Sequence, residues 1–245
     1  MRGSSSSSTL EETDRSSHSH YQIIHPQYEH GPGIYEVICR ANAFDPSGFV
    51  PGVFGVGDEW ARAVTRFPNG QFIAVTKIDG QMKVVGVALS IRTDYPPSAK
   101  PLSWREMIGD LSLKNHDPKG RWLYGVEKAV HPEYQGRGIG SALYKAQFGL
   151  IKRLHLRGMY AGGMLKGYKH YKHRMSIQEY AGKVMRGEIF DPTVSVQMKK
   201  GFKARSIIEN YSWDHEASHT GMLIVYEAKR RQAAEADKPA ASVRL

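Results

Sequence analysis

The chain has 245 residues, 40% of them hydrophobic, enough for one good-sized core and best read as a single domain with tails. One cysteine, Cys39, rules out an internal disulfide, and no apolar run approaches the roughly 20 residues a membrane helix needs. The formal charge of +10 suits polyanionic or acidic partners, but it is spread along the chain and no nucleic-acid signature accompanies it, which favours a generally basic surface over a nucleic-acid-binding module.

Residues 1–20, MRGSSSSSTLEETDRSSHSH, are serine-rich with almost nothing apolar and read as a disordered tail. They lack the apolar centre of a secretory signal, so a cytoplasmic protein is expected. From Gly33 onward, Ile34, Val37, Ile38 and Ala41 share one helix face, and Asp58 to Phe67 reads as a second helix capped by Asp58. Pro68, Asn69 and Gly70 end it. QFIAVTKI and MKVVGVALSI then read as two strands joined at Asp79-Gly80, a hairpin signal. Residues 93–122 form a long polar connection containing Pro96-Pro97, Trp104 and Asn115-His116-Asp117-Pro118. A segment of this kind either walls a site or is anchored on the core by its tryptophan.

The stretch from Leu123 to Leu154 organises the rest. Leu123, Val126, Ala129 and Val130 lie in a strand that must stop near His131, because Pro132 cannot donate to a sheet ladder. Ile139, Ala142, Leu143, Ala146, Leu150 and Leu154 then recur at helical spacing, predicting an amphipathic helix of about 16 residues. Between them stand Gln135, Gly136, Arg137, Gly138, Ile139 and Gly140. Glycines let several backbone N–H groups converge on one concavity, and a helix start adds a partial positive charge, so the turn suits a phosphate that Arg137 can also contact. The order differs from the Gly-x-Gly-x-x-Gly dinucleotide fingerprint, and the Gly-Lys-Ser/Thr of a P-loop is absent.

Gly158 to Leu165 reads as the next strand, its Gly162-Gly163 pair marking a bulge or a close backbone approach. Tyr168, Lys169, His170, Tyr171, Lys172 and His173 form a basic aromatic segment that grips an anion, stacks on a base, or simply leads, solvated, into a helix at Ser176. Asp191-Pro192 predicts a short helix through Gln197 that stops at Gly201, and strands follow at about 203–210 and 221–227. His170 with His173, and His215 with His219, lack a third ligand, so no metal is expected. The end of the chain, 229–245, is charged and alanine-rich and reads as a second tail.

Val130-x-Pro132, Tyr134 and Gln135-x-x-Gly138-x-Gly140 opening an amphipathic helix resemble the acetyl-CoA motif of the GCN5-related N-acetyltransferase (GNAT) superfamily. The resemblance implies an α/β (α+β) GNAT fold over residues 21–228: a mixed sheet of six to seven strands flanked by helices, with its central strands splayed. It implies acetyl-CoA as co-substrate, held at Ala129, Val130, Gln135, Gly136, Arg137, Gly138, Ile139, Gly140 and Ser141. The pyrophosphate would lie on the loop amides, the thioester oxygen near a main-chain N–H at Val130, and the pantetheine arm between the splayed strands, where Gly162 and Gly163 make room. The longer run LYGVEKAVHPEYQGRGIG, with AGG, GY, EY, GE, DP and GFKARSIIENY after it, resembles the GNAT half of bacterial proteins that carry such a domain ahead of a carbon-nitrogen hydrolase; here no hydrolase region and no cysteine follow.

The implied reaction is direct acetyl transfer to a primary amine of a small molecule or protein, with no membrane involved and homodimerisation compatible. A lysine-like amine must lose its proton first, at roughly 4.6 kcal/mol near neutral pH, so a base helps. Glu127, on the strand beside the expected thioester, is the candidate; its alternative is an ion pair with Lys128. The chain departs from the family at Gln197, where many members have a tyrosine four residues before Gly-Phe as general acid; Tyr168, Tyr171 and His173 are candidate substitutes. That departure keeps a second reading open, a noncatalytic acyl-CoA-binding regulatory domain.

Overall fold

The computed structural model describes residues 21–43 and 57–229, so both tails lie outside the described residues. Seven strands form one sheet: β1 (Tyr21–Ile24), β2 (Phe72–Ile78), β3 (Gln81–Thr93), β4 (Trp122–Val130), β5 (Gly158–Met164), β6 (Lys203–Ile208) and β7 (Gly221–Glu227), in the order β1-β2-β3-β4-β5-β7-β6. Among these, β4 and β5 pair in parallel and every other neighbouring pair is antiparallel. The helices are α1 (Gly31–Ala41), α2 (Gly57–Arg66), α3 (Trp104–Ile108), α4 (Ile139–Arg153), α5 (Ile177–Met185) and α6 (Val194–Lys199).

Both faces of the sheet are covered. On one, Ile34, Ile38, Trp60 and Ile108 from α1, α2 and α3 pack with Ile73, Val75, Leu89 and Ile91. On the other, Leu143, Leu150, Tyr180 and Val194 from α4, α5 and α6 pack with Ala74, Val85, Leu123 and Ile224. A sheet buried on both sides explains why β2 and β3 read as nearly continuous apolar runs. Asp79 (φ 48°) and Gly80 (φ 82°) both adopt positive φ, the geometry that a two-residue hairpin turn demands and that Asp-Gly supplies.

One strand was not anticipated, and two expectations need adjustment. Strand β1 carries no strong period and is specified by its pairing with β2, Tyr21 opposite Thr76 through Ile24 opposite Ile73. Asp58 lies inside α2, which begins at Gly57. Helix α6 begins at Val194, because the fully buried Asp191 carboxylate accepts from the Thr193 and Val194 amides while also taking Gly167 N–H and the Tyr180 hydroxyl. The long connection 93–122 is anchored: Ser103 and Glu106 form a capping box for α3, and Trp104 Nε1 donates to Val126 O at 2.8 Å.

What positions the site is a break in the sheet. β4 and β5 pair only at Trp122–Gly158, Leu123–Met159 and Tyr124–Tyr160, while β5 stays paired to β7 along its whole length. On its other side β4 stays in register with β3 down to Val130, apart from a bulge between Glu127 and Gly125. Beyond Tyr124 the two central strands therefore part, leaving a cleft edged by backbone that has no strand partner.

Candidate functional site

The register fixes which groups face the cleft. His131 N donates to Val85 O, so Ala129 and Glu127, two and four residues back and paired with Val87 and Leu89, turn their main-chain groups toward β3. Alternation turns the amides of Lys128 and Val130 into the cleft. Val130 O there accepts from Gln135 Nε2 at 3.1 Å, a bond that ties the loop to the strand end.

Gly136 (φ 76°) and Gly138 (φ 82°) are both left-handed, and a Cβ on Gly136 would meet nothing, so the loop needs glycine for its backbone rather than for space. The amides of Gly136, Arg137 and Gly138 donate to no main-chain carbonyl among the described residues, and those of Ile139, Gly140 and Ser141 are the unpaired first turn of α4. A run of undirected donors, most of them on exposed residues, at the start of a 15-residue helix is an anion cradle. Arg137 folds back, donating to Glu133 O at 2.9 Å over the Tyr134 ring. Sequence reading missed Lys200, whose Nζ crosses from α6 to Ser141 Oγ at 2.8 Å and adds a cation at the rim.

Glu127 lies at the edge of the cleft. Its Oε1 accepts from the Lys128 amide at 3.1 Å; because that amide points into the cleft, the carboxylate curls to the cleft edge of β4. Burial pushes its pKa up to about 7, with the Lys128 amide and the Lys166 ammonium pulling weakly the other way. Beside it, Tyr211 packs over Gly162, where a Cβ would come within 2.1 Å of the ring, and its hydroxyl lies 2.9 Å from that of Tyr124. Lys166 is held by Asp214 at 2.7 Å.

The anticipated Glu127–Lys128 ion pair is absent. Lys128 points to the opposite face of β4, where its Nζ donates to Gln147 Oε1 at 2.6 Å and lies 3.6 Å from the centroid of the Tyr144 ring. Gln197 lies beside the Tyr144 hydroxyl, and a Cβ on Gly163 would come within 2.5 Å of Gln197 Oε1. Lys128, Tyr144, Gln147, Gln197 and Gly163 thus floor the cleft on the α4 and α6 side. Within that floor Gln147 Nε2 and Gln197 Oε1 are buried without a hydrogen-bond partner.

The suggested substitutes for the missing tyrosine are occupied elsewhere. Tyr168 donates to Met175 O, Tyr171 packs on Tyr180, and His173 is exposed. The phenol adjoining Gln197 is Tyr144, which burial pushes up to about 12. A groove of about 680 Å³ between β1 and α4, lined by Ile24, Phe72, Lys145 and Arg153, lies outside this cleft.

A cradle of free amides, a strand pair that opens beyond it and two glycines on the facing strand fit the pyrophosphate and pantetheine arm of coenzyme A. Together these features define a GNAT-type fold: a mixed sheet split at its parallel pair, with a phosphate loop at the foot of the split. Residues 43–162 match the model of the Acetyltransferase (GNAT) family. Among curated proteins, the probable hydrolase YhcX of Bacillus subtilis (strain 168) is 35% identical over 152 residues, 62% of this chain and only 29% of that protein. The uncharacterized N-acetyltransferase YkwB of the same organism is 29% identical over 170 residues, 69% of this chain and 74% of that one. Among solved structures, the loading GNATL domain of CurA from Lyngbya majuscula superposes with TM-score 0.68 at 20% identity, covering 85% of this chain and 98% of that one. The GphF GNAT-like decarboxylase in complex with isobutyryl-CoA gives TM-score 0.68 at 17% identity, covering 84% and 98%. Over residues 43–162 the chain belongs to the Acetyltransferase (GNAT) family.

Proposed function

We propose that this chain transfers an acetyl group from acetyl-CoA directly to a primary amine, with Glu127 as general base. The observation that carries the reading is the Glu127 carboxylate at the edge of the cleft, with its pKa near neutrality, above a loop of undirected amides. Family membership and the isobutyryl-CoA complex of the GphF neighbour support an acyl-CoA ligand. Acetyl-CoA supplies the activated thioester. The protein's part is to hold the phosphates on the amides of residues 136–141, to present the Val130 N–H to the carbonyl oxygen, and to take the amine's proton at Glu127.

A carboxyl whose pKa is about 7 is half ionised at neutral pH and accepts a proton from an amine more readily than an ordinary glutamate. Departure of the thiolate needs less help. A thiol of pKa near 8.5 leaves tolerably unprotonated, whereas a phenol of pKa about 12 would give up its proton uphill by roughly 5 kcal/mol. Tyr144 therefore acts as a hydrogen-bond donor to the developing charge while solvent completes the protonation.

Gln197 favours one second reading, an acyl-CoA-binding domain without turnover. Acetyl-CoA hydrolysis and transfer to a panel of amines, followed by thiol release, separates the two: amine-dependent release supports transfer, and tight binding with no release on any amine supports the binding domain.

A further inference from the structure

Lys128 is the charged group in this cleft that the chemistry above leaves without a task. It stands on the strand that edges the cleft, its own amide pointing into the gap, and its ammonium contacts a neutral amide oxygen and an aromatic ring. No carboxylate forms an ion pair with it among the described residues. Lys183 and Lys169, by contrast, hold carboxylates, Glu179 and Glu216. A lysine that merely supported the fold at this depth would be expected to bring its own countercharge. The residue remains partly accessible, on a strand that edges the opening between β4 and β5.

We propose that Lys128 is an acetyl acceptor within the protein itself, modified in cis by acetyl-CoA bound in the cleft. The proposal rests on the coenzyme reading given above. Burial holds the Lys128 pKa well below the lysine range, which raises the share of neutral amine with a free lone pair relative to an exposed lysine. Swinging off Gln147, that lone pair forms a bond to the thioester carbonyl carbon as the carbon-sulfur bond breaks. Sulfur leaves with the bonding electrons as coenzyme A thiolate and takes up the proton the nitrogen loses, with no change of oxidation state. The product is a stable amide, so the reaction stops at one acetyl per chain. It also removes the cation from the Tyr144 ring and adds bulk at the cleft floor, so the acetylated chain binds coenzyme more weakly.

The test uses the full-length protein and acetyl-CoA carrying isotopically labelled acetyl. Calorimetry first establishes binding, and intact mass and peptide mapping then follow labelling with time. The proposal predicts one labelled acetyl per chain, mapped to Lys128, appearing at least about tenfold faster than label on any other lysine, as expected when the reactants are held together. Excess coenzyme A should suppress it, and Lys128→Arg should abolish that one site while leaving slow surface labelling unchanged. Peptide mapping of the wild type carries the test even if the variant folds poorly. Binding with Lys128 unlabelled, or labelled no faster than exposed lysines, overturns the proposal and leaves the coenzyme reading intact. No binding at all overturns both.

Discussion

Glu127 links activity and stability in opposite senses. If it is the base, the rate rises with pH through an apparent pKa of about 7, and Glu127→Gln removes that limb and lowers kcat/KM by about 10²- to 10³-fold. For stability, the folded pKa lies above the ordinary carboxylate value of 4.5, so the folded state binds more protons between the two values and stability falls as pH rises through that window. Glu127→Gln should therefore melt higher than wild type at pH 8, by about 2–4 °C for each kcal/mol relieved, and the gap should close near pH 4. Melting curves at the two pH values, alongside the rate profile, check both halves. Tyr144→Phe is expected to be mild: a loss of about tenfold or less in thiol release, because a hydrogen bond rather than a proton donor is removed. A loss near a thousandfold would make Tyr144 the acid.

The cleft depends on packing between elements. Gly162→Ala would drive a methyl into the Tyr211 ring and push it off Tyr124, while Gly163→Ala would collide with Gln197 and Val194 of α6. Each should cost about 1–3 kcal/mol, read from the denaturant midpoint, and each should weaken coenzyme binding by narrowing the gap. These positions also mark what a sequence discloses. The β4–loop–α4 unit was legible because proline, glycine and a helical period act within a few neighbouring residues, and the Gly162-Gly163 pair announced a close approach. The floor of the cleft was not: Lys128 and Gln147 are 19 residues apart and Lys200 and Ser141 are 59 apart. Nothing local in a strand lysine tells which face it takes once a bulge shifts the register at Val126. The bulge itself, and hence the side on which Glu127 emerges, is a property of pairing with β3. Strand β1 was missed for the same reason.

At the scale of the molecule, a net charge of +10 on a mixed sheet with covered faces gives long-range attraction for polyanions without specifying one. Coenzyme binding through oriented amides should be only mildly salt-dependent: raising ionic strength from about 0.05 to 0.5 M should weaken it by less than about tenfold. Binding of RNA or DNA carried by the basic surface would fall far more steeply over the same range, and titrations of both ligands distinguish the two behaviours. No described helix is long and apolar enough to cross a membrane. We place the phosphates of acetyl-CoA on the loop from Gln135 to Ser141. The most direct test of that placement is calorimetric titration of acetyl-CoA into wild type and Gly138→Asp, a residue that tolerates the left-handed backbone at φ 82° yet brings a carboxylate into the cradle. Wild type should bind at micromolar concentration, and the variant should lose at least about a hundredfold with its circular dichroism unchanged. Equal affinity in the two proteins, or no binding to either, would contradict the placement.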